Sequence, residues 1–168
     1  LIEHLIAFSK QIANPHIPEN SILKELNKRD KLSEKQKQAI HNCINSSLSL
    51  ITGGPGTGKT FVASQLIEII RSFTIEHKQA LKIALCAPTG KATQHLKSIL
   101  GSSVKHPLLS ISCETLHCLL QPSFRQISQN EPLLPLDYDI ILLDESSMID
   151  LDIFSLLFRS LKPSCRLI

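Results

Sequence analysis

The 168-residue sequence has no tryptophan and a single tyrosine, so any recognition of bases by stacking must rest on very few rings. It has no apolar run near the roughly 20 residues of a membrane-spanning helix, and no signal-peptide pattern. Its five cysteines, Cys43, Cys86, Cys113, Cys118 and Cys165, are odd in number and contain no C-x-x-C pair. Cys86 and Cys165 fall in apolar runs and read as small core residues. Cys113, His117 and Cys118 lie close together, but no second cluster completes a four-ligand zinc set. A reducing, cytoplasmic setting without membrane contact fits this usage. Internal repeats and low-complexity tracts are absent.

What is present supports a packed domain. Hydrophobic residues make up 42% of the chain, enough for a buried core. The formal charge of +3 and pI near 8.6 are compatible with a nucleic-acid partner without arguing for one. The chain opens on Leu1 and closes at 165-CRLI-168, which reads as the start of a strand and suggests a piece of a longer protein.

Alternating patterns predict the elements. Residues 1–31 read as a helix, a break at 14-NPHIPEN-20 and a second short helix, the tail of a preceding domain. From Leu32 the character changes. Ser33 and Gln36 form a capping box before a helix with Ala39, Ile40, Cys43 and Ile44 on one face. Residues 48-LSLIT-52 read as a buried strand. A helix is expected from Lys59 to about Phe73, burying Val62, Leu66, Ile69, Ile70 and Phe73. Strands are expected at 81–87 and 139–144, helices at 91–100 (closed by Gly101) and 150–161, and a fourth strand from Arg166. Residues 102–137, interrupted by four prolines, read as irregular. Strands alternating with helices imply parallel β-α units, and near-continuous apolar strands fit a sheet covered on both faces. The expected fold class is α/β, a parallel sheet flanked by helices, over residues 32–168.

Residues 53-GGPGTGKT-60 match G-x-x-x-x-G-K-[ST] between a predicted strand and a predicted helix, the context that motif requires. Gly53, Gly54, Gly56 and Gly58 would let successive N–H groups, with Pro55 and Thr57 between them, point at phosphates. The helix N-terminus adds its dipole. Lys59 would neutralise the β- and γ-phosphates of ATP, and Thr60 would ligate Mg²⁺. Phe61 completes the candidate nucleotide-binding set. Asp144 and Glu145, at the end of 140-IILLDES-146, would hold Mg²⁺ through its water shell and polarise the attacking water. Asp137, Asp139, Asp150 and Asp152 read as turn and cap residues.

The shorter stretch 87-APTGK-91 lacks the glycine spacing to wrap a triphosphate. It follows the next predicted strand, on the edge where α/β sheets bind ligands. Thr89, the Gly90 N–H, Lys91 and a helix N-terminus suit one phosphodiester.

The order GGPGTGKT (53–60), APTGKAT (87–93), TLHCLL (115–120) and LLDESSMID (142–150) resembles the first motor domain of superfamily 1 DNA helicases. More narrowly it is similar to the RecD-like branch, which includes the alpha subunits of bacterial exodeoxyribonuclease V. That resemblance implies a P-loop nucleoside triphosphatase (RecA-like) fold and a 5′–3′ DNA helicase driven by ATP and Mg²⁺, acting on single-stranded DNA with RecB- and RecC-like partners in double-strand-break repair. By position, Gln36 matches the glutamine that reads the adenine edge, in competition with its capping-box role. Pro88, Thr89, Gly90 and Lys91 match one DNA-contacting motif, and Thr115 and His117 a second, although His117 could equally be a packed or capping histidine. Ser147 and Met148 match structural or coupling positions. The family's Gly-Asp-x-x-Gln segment and arginine finger do not occur, and Arg29, Arg71, Arg125, Arg159 and Arg166 lie in no family arginine motif. Residues 1–168 alone are therefore expected to bind Mg·ATP and DNA weakly and hydrolyse little. Rival readings are a free-standing RecD-like helicase, a nucleotide- or DNA-binding module without turnover, and a small-molecule kinase.

Overall fold

The computed structural model describes residues 2–11, 17–54, 56–100, 106–129 and 131–168. The helices are α1 (Ile2–Ser9), α2 (Glu19–Asn27), α3 (Glu34–Asn45), α4 (Lys59–His77), α5 (Gly90–Leu100), α6 (Leu116–Leu119), α7 (Gln121–Ser128) and α8 (Leu151–Ser160). The strands are β1 (Leu81–Ala87), β2 (Leu109–Thr115), β3 (Ile140–Leu143) and β4 (Arg166–Leu167), in spatial order β2-β1-β3-β4 with every pairing parallel. This is the expected α/β P-loop arrangement.

Both faces of the sheet are covered, and β1 shows how. Ile83, Leu85 and Ala87 enter one core with Ile40, Ile44, Val62, Leu66, Ile70 and Leu96 from α3, α4 and α5. Their neighbours Ala84 and Cys86 enter the other, with Leu116, Leu119, Leu157 and Phe158 from α6 and α8. Strand side chains alternate faces, so a strand apolar at every position from Ile83 to Ala87 is what two covering layers select. Burial pushes the thiols of Cys86 and Cys165 well up, that of Cys165 to about 12, as suits inert core groups.

Two expectations are corrected. Residues 48–52 form no buried strand: Leu48 makes one parallel bridge to Leu167, flanked by Ser49 N–H to Leu167 O and Leu167 N–H to Ser47 O. Beyond that bridge Leu50 is 78% exposed. The second correction is β2, inside the stretch read as irregular. It pairs with β1 along its whole length, from Leu81 opposite Leu109 to Ala87 opposite Thr115. As the edge strand it is only half-buried, so polar Ser110, Ser112 and Glu114 alternate with apolar residues and mask the apolar run. The helix expected to end near Phe73 runs on to His77, where Lys78 adopts a left-handed φ of 52°. The expected C-cap at Gly101, and Asn14, Pro15 and His16 of the expected break, lie outside the described residues.

Asp137, Asp139 and Asp150 do structural work. Asp150 Oδ1 accepts the Ile153 N–H at 2.8 Å and caps α8. Asp139 accepts the Lys82 N–H at 2.8 Å and pairs with Lys162 at 2.7 Å, while Asp137 pairs with Lys82. Among the described residues, no helix is long and apolar enough to cross a membrane.

The first two helices are not loose on this frame. Phe8 of α1 meets Phe158 of α8 edge-to-face at 5.7 Å, and Ile17, Ile22 and Leu26 join the α3–α4 core. Arg29 donates to Gln65 of α4 at 2.5 Å. Ile22 is fully buried. Ile22→Ala should therefore cost about 2–5 kcal/mol and shift the single unfolding transition of the chain in urea, rather than a separate early one.

Candidate nucleotide and nucleic-acid site

In a parallel sheet, the segments that follow the strands leave from the same edge. The phosphate-loop residues follow Leu48, which pairs beside β4, while residues 88–91 follow β1 and Asp144 follows β3. Thr115 closes β2 directly opposite Ala87. Strand spacing of about 4.8 Å sets 88–91 and 115–117 side by side. The Asp144 N–H donates to Cys86 O at 2.9 Å, extending the β1–β3 ladder one step past β3 and holding Asp144 against the end of β1.

The loop before α4 is shaped by its glycines. Gly56 and Gly58 have φ of 73° and 82°, a region open to glycine and strained for other residues. A Cβ on Gly58 would also meet Gln36 Nε2 at 3.0 Å, and one on Gly53 would meet Thr57 Oγ1 at 2.7 Å. Gly54 and Gly90 have open space where a Cβ would sit. Pro55 lies outside the described residues.

Lys59 reaches back over this loop and donates from Nζ to the carbonyls of Gly53 and Gly54, at 2.7 and 3.0 Å. Thr57 Oγ1 donates to Gly54 O at 2.8 Å, and Thr60 stands half-buried in the first turn of α4. The cation thus lies over the loop at the first residue of α4. These donors fit a bound polyphosphate. Phe61 is exposed beside them.

Gln36 joins the loop to α3. Ser33 Oγ accepts the Gln36 N–H at 3.3 Å and Gln36 Oε1 accepts the Ser33 N–H at 3.0 Å, which is the expected capping box. Gln36 Nε2 donates to Thr57 O at 3.4 Å. In this conformation both polar ends of the amide serve the protein, one at the helix cap and one at the phosphate loop.

Glu145 follows Asp144 with φ 53° and ψ 36°, a left-handed conformation that costs a non-glycine residue about 1–2 kcal/mol. Its N–H is taken by Asp144 Oδ1 at 2.9 Å, and Met148 N–H donates to its carbonyl at 3.1 Å. The turn into Ser146–Met148 therefore aims the Glu145 side chain outward, and Ser147 and Met148 are exposed with it.

The second and third loops share a device. Thr89 Oγ1 accepts the Ala92 N–H at 3.3 Å and caps α5, while Thr115 Oγ1 accepts the Cys118 N–H at 3.3 Å and caps α6. Pro88 is half-buried, and Gly90, Lys91 and His117 are exposed. His117 is therefore neither a packed core residue nor a cap. Its ring lies near-parallel to that of Phe124, a residue the motif reading overlooked because it stands outside every recognised motif.

Comparison with known proteins follows the same line. The AAA domain family matches residues 36–168. The RecBCD enzyme subunit RecD of Haemophilus influenzae is 38% identical over 146 residues, covering 79% of this chain and 22% of that protein. The RecD subunit of Mycolicibacterium smegmatis is 32% identical over 149 residues, covering 80% and 26%. The ATP-dependent RecD2 DNA helicase of Deinococcus radiodurans is 30% identical over 140 residues, covering 83% and 17%. The chain thus spans about a quarter or less of the length of these relatives.

The backbone at Glu145 yields a stability test independent of activity. Glu145→Gly should be more stable than Glu145→Ala by about 1 kcal/mol in urea unfolding, because only glycine relieves the left-handed conformation. Equal stabilities would show the turn to be unstrained.

Proposed function

The chain belongs to the AAA domain family, and from that premise we propose that it is the first motor domain of a RecD-like 5′–3′ DNA helicase. The intact protein works on single-stranded DNA in the cytoplasm with RecB- and RecC-like subunits, in an exodeoxyribonuclease V complex for double-strand-break repair. Residues 32–168 are the motor domain, and residues 1–31 the tail of the domain before it. The observation that carries this reading is the convergence on one sheet edge of the phosphate loop, the Asp144–Glu145 pair and the two threonine-capped loops.

ATP occupies the loop formed by Gly53, Gly54, Pro55, Gly56, Thr57 and Gly58. Lys59 exchanges the Gly53 and Gly54 carbonyls for β- and γ-phosphate oxygens, which ties loop shape to nucleotide occupancy. Thr60 and Asp144 would hold Mg²⁺, which supplies charge neutralisation at the phosphates. Glu145 orients and deprotonates the attacking water. Gln36 reads the adenine edge only after releasing Ser33 or Thr57, and Phe61 flanks the nucleotide. On the neighbouring loops, Pro88, Thr89, Gly90 and Lys91 with Thr115 and His117 contact the DNA strand.

Hydrolysis by residues 1–168 alone is slow in this reading. An arginine finger contributes about 10³–10⁵ in rate. Arg29, Arg71 and Arg166 are engaged with Gln65, with Glu68, and with the Ile44 and Ser46 carbonyls. The similarity to a RecD2 DNA helicase favours a second reading, a helicase that works without nuclease partners. Co-purification of the intact protein with RecB- and RecC-like subunits separates the two.

Lys59→Ala should abolish Mg·ATP binding in calorimetry while leaving the unfolding midpoint nearly unchanged; unaltered nucleotide affinity would refute the cradle assignment. Lys91→Ala should weaken single-stranded DNA binding for all sequences and lower the salt slope by about one phosphate's worth. Loss of nucleotide binding with DNA affinity intact would instead place Lys91 at the ATP site.

A further inference from the structure

Tryptophan is absent and the one tyrosine, Tyr138, is half-buried and tied to Ser112 and Glu114. Phe8, Phe73 and Phe158 are core residues and Phe154 is half-buried. The phenylalanine rings left open are Phe61, at the phosphate loop, and Phe124, which is 38% exposed on α7.

Phe124 is not exposed for want of a packing partner on its helix. The residue α7 buries is Ser123, whose hydroxyl is 2.8 Å from that of Ser160. That contact seats the helix and leaves the next residue turned away from the core. The Phe124 ring instead meets His117, with centroids 6.4 Å apart and planes within 16° of parallel. That separation is at the long end for aromatic pairs, so the faces are not consumed by each other. His117 stands two residues past Thr115, the residue paired with Ala87 at the start of the 88–91 loop.

We propose that His117 and Phe124 form a stacking platform for a base of single-stranded nucleic acid, with Lys91 and the 88–91 loop holding the adjoining phosphate. This rests on the reading that a nucleic-acid strand crosses that sheet edge, and adds to it a residue outside the recognised motifs. The division of labour is physical. Lysine and a helix-capping loop grip a phosphate whatever base is attached, whereas a ring face adds affinity only when a base is present.

The test uses the 168-residue chain and two probes of about 16 nucleotides, oligo-dT and a backbone of the same length made of abasic sites. Phe124→Ala should weaken oligo-dT binding by about 5- to 100-fold and leave the abasic probe unaffected. Phe124→Leu, which keeps apolar bulk for folding, should show the same selective loss. Phe124→Trp should retain affinity and give the chain a single tryptophan whose fluorescence is quenched by oligo-dT but not by the abasic strand. Equal losses on both probes, or none on either while Lys91→Ala still weakens both, would overturn the platform and leave the nucleic-acid reading standing. The latter result would point to a protein-facing patch of Phe124 and its helix neighbour Ile127. If the wild-type chain binds neither probe, the nucleic-acid reading falls and the platform with it.

Discussion

The parallel pairing of β1 with β3 positions Asp144 and the 88–91 loop at the candidate site. Ile83 lies opposite Ile140 and Cys86 opposite Leu143, and the Asp144 N–H continues the ladder to the Cys86 carbonyl. The two faces of β1 differ in size: Ile83 and Leu85 point to the α3–α4 side, Ala84 and Cys86 to the α8 side. A one-residue slip would drive the large side chains into space packed for small ones, at a cost of about 1–3 kcal/mol for each overpacked position. Register is thus enforced by volume rather than by polarity, and with it the placement of Asp144 beside the end of β1.

From that edge, short polar side chains set the shape of each loop. Ser33, Thr89, Thr115 and Asp150 each accept a backbone N–H at a helix start. Lys91 and His117, close to these caps, are exposed. The phosphate loop is held differently, by left-handed glycines and by Lys59 on two carbonyls. Gln36 ties this loop to the cap of α3, so a change at the nucleotide would reach α3 through one amide.

The motif residues were legible because their chemistry dictates their spacing. Lysine after glycine at a helix start, and paired acids after an apolar strand, can be recognised without knowing what surrounds them. Ser33 and Gln36 were legible as a cap for a similar reason, since the reciprocal bonds span three residues. Phe124 could not be found in this way. Its significance depends on a ring seven residues earlier in sequence, across two short helices, and on Ser123 rather than Phe124 being the residue that α7 buries.

Local pattern alone determined the central strands, the long helix after the phosphate loop and its buried face, because both-sided burial selects continuous apolar runs and helical burial selects a 3.6-residue period. Tertiary structure alone decided the β2 edge of the sheet. β2 is a strand because β1 offers it seven consecutive partners, although its own side chains alternate between polar and apolar. A strand's hydrogen bonds belong to its neighbour as much as to itself, and the sequence of one strand does not say how much of a neighbour it will find.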